Sequence, residues 1–386
     1  MVRTPDAGWL EPLVGWLQGA QEGLLGLLAW TGLAGTSHGQ AAWPWALRLS
    51  GENLLIDTGQ ARRLGLTLLV LALAALALLL AGLWRQPRWF LLAALPLLLV
   101  AAPWPQPSVL FVPAVPTSLH RSPTGFDAAS IARGGELYAQ HCVACHGVDG
   151  RGQGPLAAAQ PVWPPDLAGP LLWRRADGEL LWHLLHGMSD RHGGTTMPAF
   201  AQLGDGEAWA LIDFMKAQAA GQGLRATGAW AGPVGLPDVE VRCAGRAPRR
   251  LASWRGQRLR IVAAGTPQAA LREDPRLVTV LLRREHDAAA GAGAECIAES
   301  TAAWHAFALI AGTDRLAGTQ WLADRDGWLR ALGSPDQAGW SEDDLLCRTE
   351  AGDRSAPTPP PDDSLGALIA RMDAEPVRFL KGGFVH

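Results

Sequence analysis

Apolar residues are spread unevenly along the chain, and the unevenness predicts its elements. Residues 64–84 (LGLTLLVLALAALALLLAGLW) carry no charge, and a helix of that length crosses a hydrocarbon core of roughly 30 Å. A second apolar run from Trp89 to Pro103 follows the basic turn Arg85-Gln86-Pro87-Arg88. The two predict a helical hairpin, with Trp84, Trp89 and Trp104 at the depth of an interfacial aromatic belt. Pro12 to Leu33 is weaker: Gln18, Gln21 and Glu22 interrupt its leucines. It is expected to be a first spanning helix or an amphipathic one lying on the surface. Arg3 is offset by Asp6 and Glu11, and the best apolar run starts too late for a cleaved signal peptide.

Beyond residue 105 the period changes. Asp127 can cap a helix running through Ile131, Gly134, Gly135 and Tyr138. Asp205 to Lys216 reads as an amphipathic helix with Trp209, Ile212 and Phe214 inward. Further on, Arg258–Ala264 and Leu277–Leu282 read as strands and Ser300–Ile310 as a helix. Thr319–Arg330 reads as a hairpin turning at Asp326-Gly327. The expected layout is a membrane region of two or three helices at 1–105 and an extended connector at 106–126. An all-α domain at 127–221, a glycine-rich linker, an α/β domain at 236–350, and a proline-rich linker and tail at 351–386 complete it.

Composition narrows the function classes. A net charge of −3 over 386 residues gives no global reason to bind nucleic acid. Of the 33 basic residues only Lys216 and Lys381 are lysine. Seven arginines fall between Arg242 and Arg260, forming either a solvated face or a docking patch for an acidic partner or lipid head groups.

Cys142-Val-Ala-Cys145-His146 decides the chemistry. C-x-x-C-H is the attachment motif of c-type haem. Two thiols at this spacing add to the two vinyl groups on one porphyrin edge, and the next histidine sits beneath the iron. A zinc site would need two more close Cys or His ligands, whereas Cys243, Cys296 and Cys347 lie far downstream. The second axial ligand is expected at Met197, in a Gly- and Thr-rich loop closed by Pro198. Met188, His183, His186 and His192 are its competitors. A Met/His pair raises the reduction potential relative to bis-histidine ligation.

In motif order and helix order, residues 127–220 resemble the class I cytochrome c family. The resemblance implies Cys142 and Cys145 as thioether sites, His146 as proximal ligand and Met197 as distal ligand of one covalently bound haem c. It also implies a proline carbonyl, of Pro164 or Pro165, accepting the proton of the proximal imidazole. The segment Ser122–Arg133 and the segment Pro44–Ser50 are similar to bacterial proteins that join a CopD-type membrane region to a cytochrome c domain. No Met- or His-rich ligand cluster accompanies that likeness, and the membrane region is much shorter than a full transporter of that type. The order of elements in 251–350 resembles thioredoxin-like domains, with Gly265-Thr-Pro-Gln268 where the redox C-x-x-C would stand. Disulfides Cys296–Cys347 or Cys243–Cys347 are both open to this reading.

The implied function is a membrane-anchored electron carrier of the bacterial inner membrane, not an enzyme in its own right. Its partners would be the bilayer and a redox protein such as an oxidase or dehydrogenase. The haem and C-terminal domains would lie in the periplasm and the Arg85–Arg88 turn in the cytoplasm, although Arg62 and Arg63 would then stand on the outer side, against the positive-inside rule. The alternatives are a subunit of a copper- or thiol-handling system, marked by two cysteines close together in space or by Cys296 close to His286 or His305, and a haem-based sensor, marked by an open sixth coordination position.

Overall fold

The computed structural model describes residues 10–84, 86, 88–265, 274–285, 294–335, 339–341, 344–346 and 364–377. They form two compact units, one up to Leu119 and the other from His120 onward.

In the first unit α1 is Leu10–Trp30, a short α2 is Gly51–Ile56, and α3 is Thr58–Leu83. At 1.5 Å per residue, the 26 residues of α3 extend about 39 Å. It is the one helix among the described residues that is long and apolar enough to cross a membrane. The second helix of the expected hairpin, α4 (Arg88–Ala101), has 14 residues with Pro96 inside, about 21 Å. It runs antiparallel to α3: Arg88 Nε donates to the Ala81 carbonyl at 3.0 Å and Thr67 Oγ1 to that of Pro103 at 3.1 Å. The ends of the hairpin are joined by strands β1 (Leu47–Leu49) and β2 (Phe111–Pro113), paired antiparallel. The expected extended connector at 106–126 instead opens on a helical turn, Pro107–Leu110, and the strand that follows pairs with β1, which satisfies its backbone groups.

The polar residues that weakened α1 as a spanning segment have a structural use. Gln21 is buried, its Nε2 donating to the Leu49 carbonyl and its Oε1 accepting from the Leu49 amide. The side chain thus continues the hydrogen bonding of β1 and ties α1 to it.

The second unit has a helical part and a sheet. Asp127 caps α5 (Ala128–His141), accepting from the Ala129 amide at 2.7 Å. The single turn α6 (Val143–His146) follows directly. Helix α7 is Asp177–His186, strands β3 (Met188–Ser189) and β4 (Thr195–Met197) form a hairpin, and α8 (Gly204–Thr227) closes the helical part. Helices α5 and α8 cross in close contact. A Cβ on Gly134 would lie 2.0 Å from the Ala210 carbonyl oxygen, so only glycine fits there. Gly135 faces the Phe214 ring.

Eight strands make the sheet: β5 (Val234–Gly235), β6 (Glu240–Cys243), β7 (Arg249–Arg250), β8 (Leu259–Ala263), β9 (Val278–Arg283), β10 (Cys296–Glu299), β11 (Gln320–Ala323) and β12 (Trp328–Gly333). Their order is β5-β12-β11-β8-β9-β10-β6-β7, with β8, β9 and β10 parallel and the other pairs antiparallel. Helix α9 (Thr301–Ala311), capped by Ser300, lies between β10 and β11. The expected strands, helix and Asp326-Gly327 hairpin all stand where the pattern set them. A buried Arg330 holds the C-terminal helix α10 (Ser364–Ala374): it pairs with Asp324 at 3.2 Å and donates to the carbonyls of Met372 and Glu375.

Three expectations are corrected. The stretch 219–235, read as a linker, continues α8 as far as Thr227. Packing overrides the low helix propensity of its glycines, since Gly221 sits where a Cβ would meet the Leu309 carbonyl oxygen at 1.9 Å. The disulfide is Cys243–Cys296, neither of the pairings weighed from sequence. Antiparallel addition of β6 to β10 sets the two residues opposite each other, a juxtaposition that only the strand order reveals. Cys347 lies outside the described residues. Most of the arginines between Arg242 and Arg260 are engaged within the fold: Arg242 pairs with Glu240, Arg246 with Glu295, Arg250 with Asp127 and Asp238, and Arg258 with Asp373. The docking-patch alternative loses most of its charge.

Helical part and sheet share one hydrophobic core. Ala128, Ile131, Ala217 and Ala220 are buried together with Trp254, Ile261, Phe307 and Trp321. Gly221→Ala is therefore expected to overpack this contact and destabilise the second unit by about 1–3 kcal/mol, with helices and sheet melting in one transition. Gly206→Ala, which has open space around it, should shift stability by no more than about 1 kcal/mol. Thermal unfolding of the detergent-solubilised protein followed by circular dichroism checks both.

Candidate haem-attachment site

Cys142 ends α5, its amide still donating to the Tyr138 carbonyl at 2.9 Å. The amides of Cys145 and His146 then both donate to the Cys142 carbonyl. Two thiols and an imidazole thus leave one tight turn, as the spacing predicts. Neither thiol is in a disulfide. Cys142 is buried, and burial, with Cys145 beside it, raises its pKa to about 11. The thiol stays protonated at neutral pH, and the nucleophilic, oxidisable form is the thiolate.

The exposed end of this turn is satisfied by the loop that follows. Amides of Gly152, Gly154 and Leu156 donate to the carbonyls of His146, Cys145 and Ala144 at 2.8, 3.0 and 2.8 Å. The approach requires glycine: a Cβ on Gly154 would lie 2.4 Å from the Ala144 oxygen, and one on Gly152 (φ +74°) 2.2 Å from the Pro164 oxygen. Tyr138 Oη donates to the Gly147 carbonyl at 3.0 Å and Gln218 Nε2 to that of Val148 at 2.7 Å. None of these supporting partners carries a motif, so the sequence did not single them out.

His146 is half-buried, and this desolvation lowers the pKa of its ring. It is therefore neutral at neutral pH, with a lone pair available for a metal. Its Nδ1 is buried without a hydrogen bond of normal geometry, although the Pro165 carbonyl is close enough to oppose part of the fall in pKa. Of the two prolines open from sequence, Pro165 is the one beside the ring, while the Pro164 carbonyl faces Gly152.

Met197 ends β4, opposite Met188 on β3. The hairpin turn is held by Asp190, whose carboxylate accepts from the amides of His192 and Gly194 at 2.8 Å each. Gly187 (φ +74°) stands where a Cβ would crowd the Met197 carbonyl at 2.6 Å. Met197 packs against the apolar cluster containing Cys142, Leu137, Leu172, Leu181, Leu184 and Trp209, so one core brings it together with the attachment turn. Opposite residues of an antiparallel pair project to the same face. Met188 is thus its neighbour, but 38% exposed. His186 stacks on Trp182 at 3.7 Å, His192 is exposed, and His183 is half-buried.

These residues fit a covalently held haem. Two free thiols and a neutral imidazole with an orphan Nδ1 stand on one turn, beside an apolar bed with a sulfur at its edge. Of the marks named for a copper- or thiol-handling site, two cysteines do meet in space, as the disulfide Cys243–Cys296, while His286 lies outside the described residues. Among the described residues no group of three or more His, Cys, Asp or Glu is arranged to hold a metal ion.

The family described as "Cytochrome C oxidase, cbb3-type, subunit III" matches residues 129–215. No curated protein matches. Among solved structures, a chain of the "Kuenenia stuttgartiensis reducing HAO-like protein complex Kustc0457/Kustc0458" is 29% identical with a TM-score of 0.22, the match covering 28% of this chain and 50% of that one. The chain thus spans half the length of that relative. The family match and the attachment turn agree: residues 129–215 form a helical c-type cytochrome domain, which implies covalently bound haem c and a haem electron-transfer role.

A second titratable group lies in this domain. The Asp213 carboxylate on α8 is buried and accepts at one oxygen from Thr124 Oγ1 at 2.6 Å and Ser130 Oγ at 2.8 Å. Burial outweighs those bonds and Lys216, raising its pKa to about 6. The folded state then binds this proton more tightly than the unfolded chain. The contribution to stability is complete below pH about 4 and is lost as pH rises through about 6, by up to roughly 3 kcal/mol. Asp213→Asn, which keeps the accepting oxygen, should flatten that decline when denaturant midpoints are compared from pH 4 to 7.

Proposed function

We propose that the chain is a membrane-anchored monohaem c-type cytochrome that carries electrons at the periplasmic face of a bacterial inner membrane, to or from a respiratory oxidase or dehydrogenase. The observation that carries this reading is the Cys142–His146 turn, with both thiols free, the His146 ring neutral and its Nδ1 buried. A haem held there supplies a one-electron iron couple. Cys142 and Cys145 would hold it covalently, His146 would ligate the iron, and the Pro165 carbonyl would orient the imidazole. Met197, closing the hairpin over the same apolar bed, would supply the second ligand, and the bed would exclude water. A thioether paired with an imidazole would stabilise the reduced state and raise the potential.

The anchor is the α3–α4 hairpin. Its two ends meet at the β1–β2 ladder, so the chain enters and leaves on one side and the Arg85–Arg88 turn falls on the other. Attachment of haem c outside the cytoplasm, the usual course in the resembled family, sets the ladder side as periplasmic. Anchoring keeps the carrier at high effective concentration beside a membrane-bound partner. The sheet, resembling a thioredoxin-like module without its dithiol, acts as a structural companion of the cytochrome domain and not as a second redox centre.

Visible spectra of the full-length, haem-loaded protein test the ligand set. Oxidised wild type and Met188→Ala should show the weak long-wavelength charge-transfer band of sulfur-ligated ferric haem. Met197→Ala should lose the band, and its midpoint potential should fall. Persistence of the band in Met197→Ala would remove this assignment, and ready binding of carbon monoxide by reduced wild type would favour a sensor.

A further inference from the structure

We propose that the pocket lined by Phe126, Trp173 and Trp328 binds a small organic cation, its ammonium group meeting the Asp213 carboxylate. The inference adds a ligand site to the second unit and does not depend on the electron-transfer reading above.

The pocket encloses about 230 Å³, below the roughly 300–1,000 Å³ of sites for drug-sized molecules, so its occupant has few heavy atoms. It lies at the seam between the helical part and the sheet. Phe126 packs on the core that the two share, and Trp173 belongs to the apolar cluster beside the attachment turn. The walls are held in place. Trp173 Nε1 donates to the Pro233 carbonyl at 3.1 Å, and a Cβ on Gly232 would lie 2.4 Å from the Trp173 ring. Phe126 has φ +61°, a left-handed conformation unfavourable for a bulky side chain. Its peptide groups are nonetheless fixed: the amide donates to Thr124 Oγ1 at 3.3 Å, and the carbonyl accepts from the Asp238 amide at 3.1 Å. Three aromatic side chains thus line a small space, and aromatic rings attract cations to their faces.

Charge selects a cation. Asp213 has only 3% of its surface exposed, and it lines the pocket. The hydroxyls of Thr124 and Ser130 both donate to the same oxygen, Oδ2. Among the described residues no hydrogen bond reaches Oδ1. An ionised carboxylate has room for about four such bonds, and burying one with fewer is unfavourable. Burial accordingly raises its pKa to about 6. The neighbouring cations do not supply the missing contact. Lys216 Nζ is engaged by Asp177 Oδ1 at 2.5 Å, and the two act on Asp213 in opposite directions. Arg255 and Asp326, one charge of each sign, are the exposed charged residues of the lining. With those pairs offset, the charge left unmatched inside the pocket is that of Asp213. An ammonium group brings N–H donors for Oδ1 and a positive charge for the rings. A metal ion fits less well, since among the described residues no group of three or more His, Cys, Asp or Glu is arranged to hold one.

Isothermal titration calorimetry on the full-length, haem-loaded protein in mild detergent tests this with n-butylammonium, n-butanol and butyrate as probes. Butylammonium should bind at least about tenfold more tightly than butanol, as one charge-assisted contact warrants, and butyrate should not bind. Its affinity should rise about tenfold from pH 5 to pH 7. The ammonium stays charged throughout, while one carboxyl with a pKa of about 6 ionises over that range. Asp213→Asn, which keeps the accepting oxygen, should remove both the preference over butanol and the pH dependence, and Arg255→Gln should leave both in place. The visible spectrum of the haem should stay unchanged at saturation, which places the probe away from the iron. The pH series on wild type decides the same point as Asp213→Asn without a variant. No binding of butylammonium, butanol or butyrate binding as tightly, an affinity flat between pH 5 and 7, a preference that survives Asp213→Asn, or binding heat matched by a change of the haem spectrum would each overturn the proposal.

Discussion

The crossing of α5 and α8 at Gly134 is the constraint on which the rest of the second unit depends. With the Ala210 carbonyl against the glycine and Phe214 beside it, the two helices approach as closely as their backbones allow. That distance sets where α5 ends, and the attachment turn is the next residue. Tyr138, one turn further along α5, packs on Phe214 at 5.2 Å and uses its hydroxyl to hold the Gly147 carbonyl. One ring therefore connects the helix crossing to the residue after His146. A side chain at Gly134 would separate the helices and move all of these groups together, because close-packed interiors do not deform locally.

Around the attachment turn the fold solves a backbone problem before a chemical one. A four-residue helix has almost no internal hydrogen bonds, and its last carbonyls need partners. The loop at 152–156 supplies three amides, and it comes near enough only because Gly152 and Gly154 lack side chains. The same close approach brings Pro165 beside the His146 ring. Orientation of the imidazole thus follows from satisfying peptide groups, and the support that a metal-ligating histidine needs from its surroundings comes from the main chain.

The attachment chemistry was legible because it is local. C-x-x-C-H fixes three groups within five residues, and Asp127 declares its role as a cap by its place before the helical pattern. The strands at 259–263 and 278–283 and the hairpin at Asp326-Gly327 were equally visible from alternation and turn residues. What was hidden depends on contacts between distant segments. Cys243 and Cys296 are 53 residues apart and meet only through a strand order that no local pattern encodes. Gly221 and Gly223 suggest a linker until Leu309 is known to press against the first of them. Asp213 reads as the polar side of an amphipathic helix, yet Thr124 and Ser130 close over it from another part of the chain. Gln21 looked like a flaw in a membrane helix because its partner, the Leu49 peptide group, lies beyond the helix.

The sheet is part of how the cytochrome domain is built. Ile131, Ala217 and Ala220 are buried in one core with residues of the sheet and α9. Their burial, at roughly 25 cal/mol per Å², is a stabilisation that residues 127–221 would lack alone. Polar contacts follow the same seam. The Ala128 amide donates to the Asp238 carbonyl, the Asp238 amide to that of Phe126, and Arg250 bridges the carboxylates of Asp127 and Asp238. Asp127 is also the cap of α5, so the residue that starts the haem-bearing helix is gripped from the sheet side. Shared apolar burial and these polar contacts join the sheet to α5 and α8 within one compact unit. The attachment turn and Met197 belong to the second apolar cluster, which the helical part builds from its own residues, so the sheet supports the haem-bearing helix without entering the bed beside the motif.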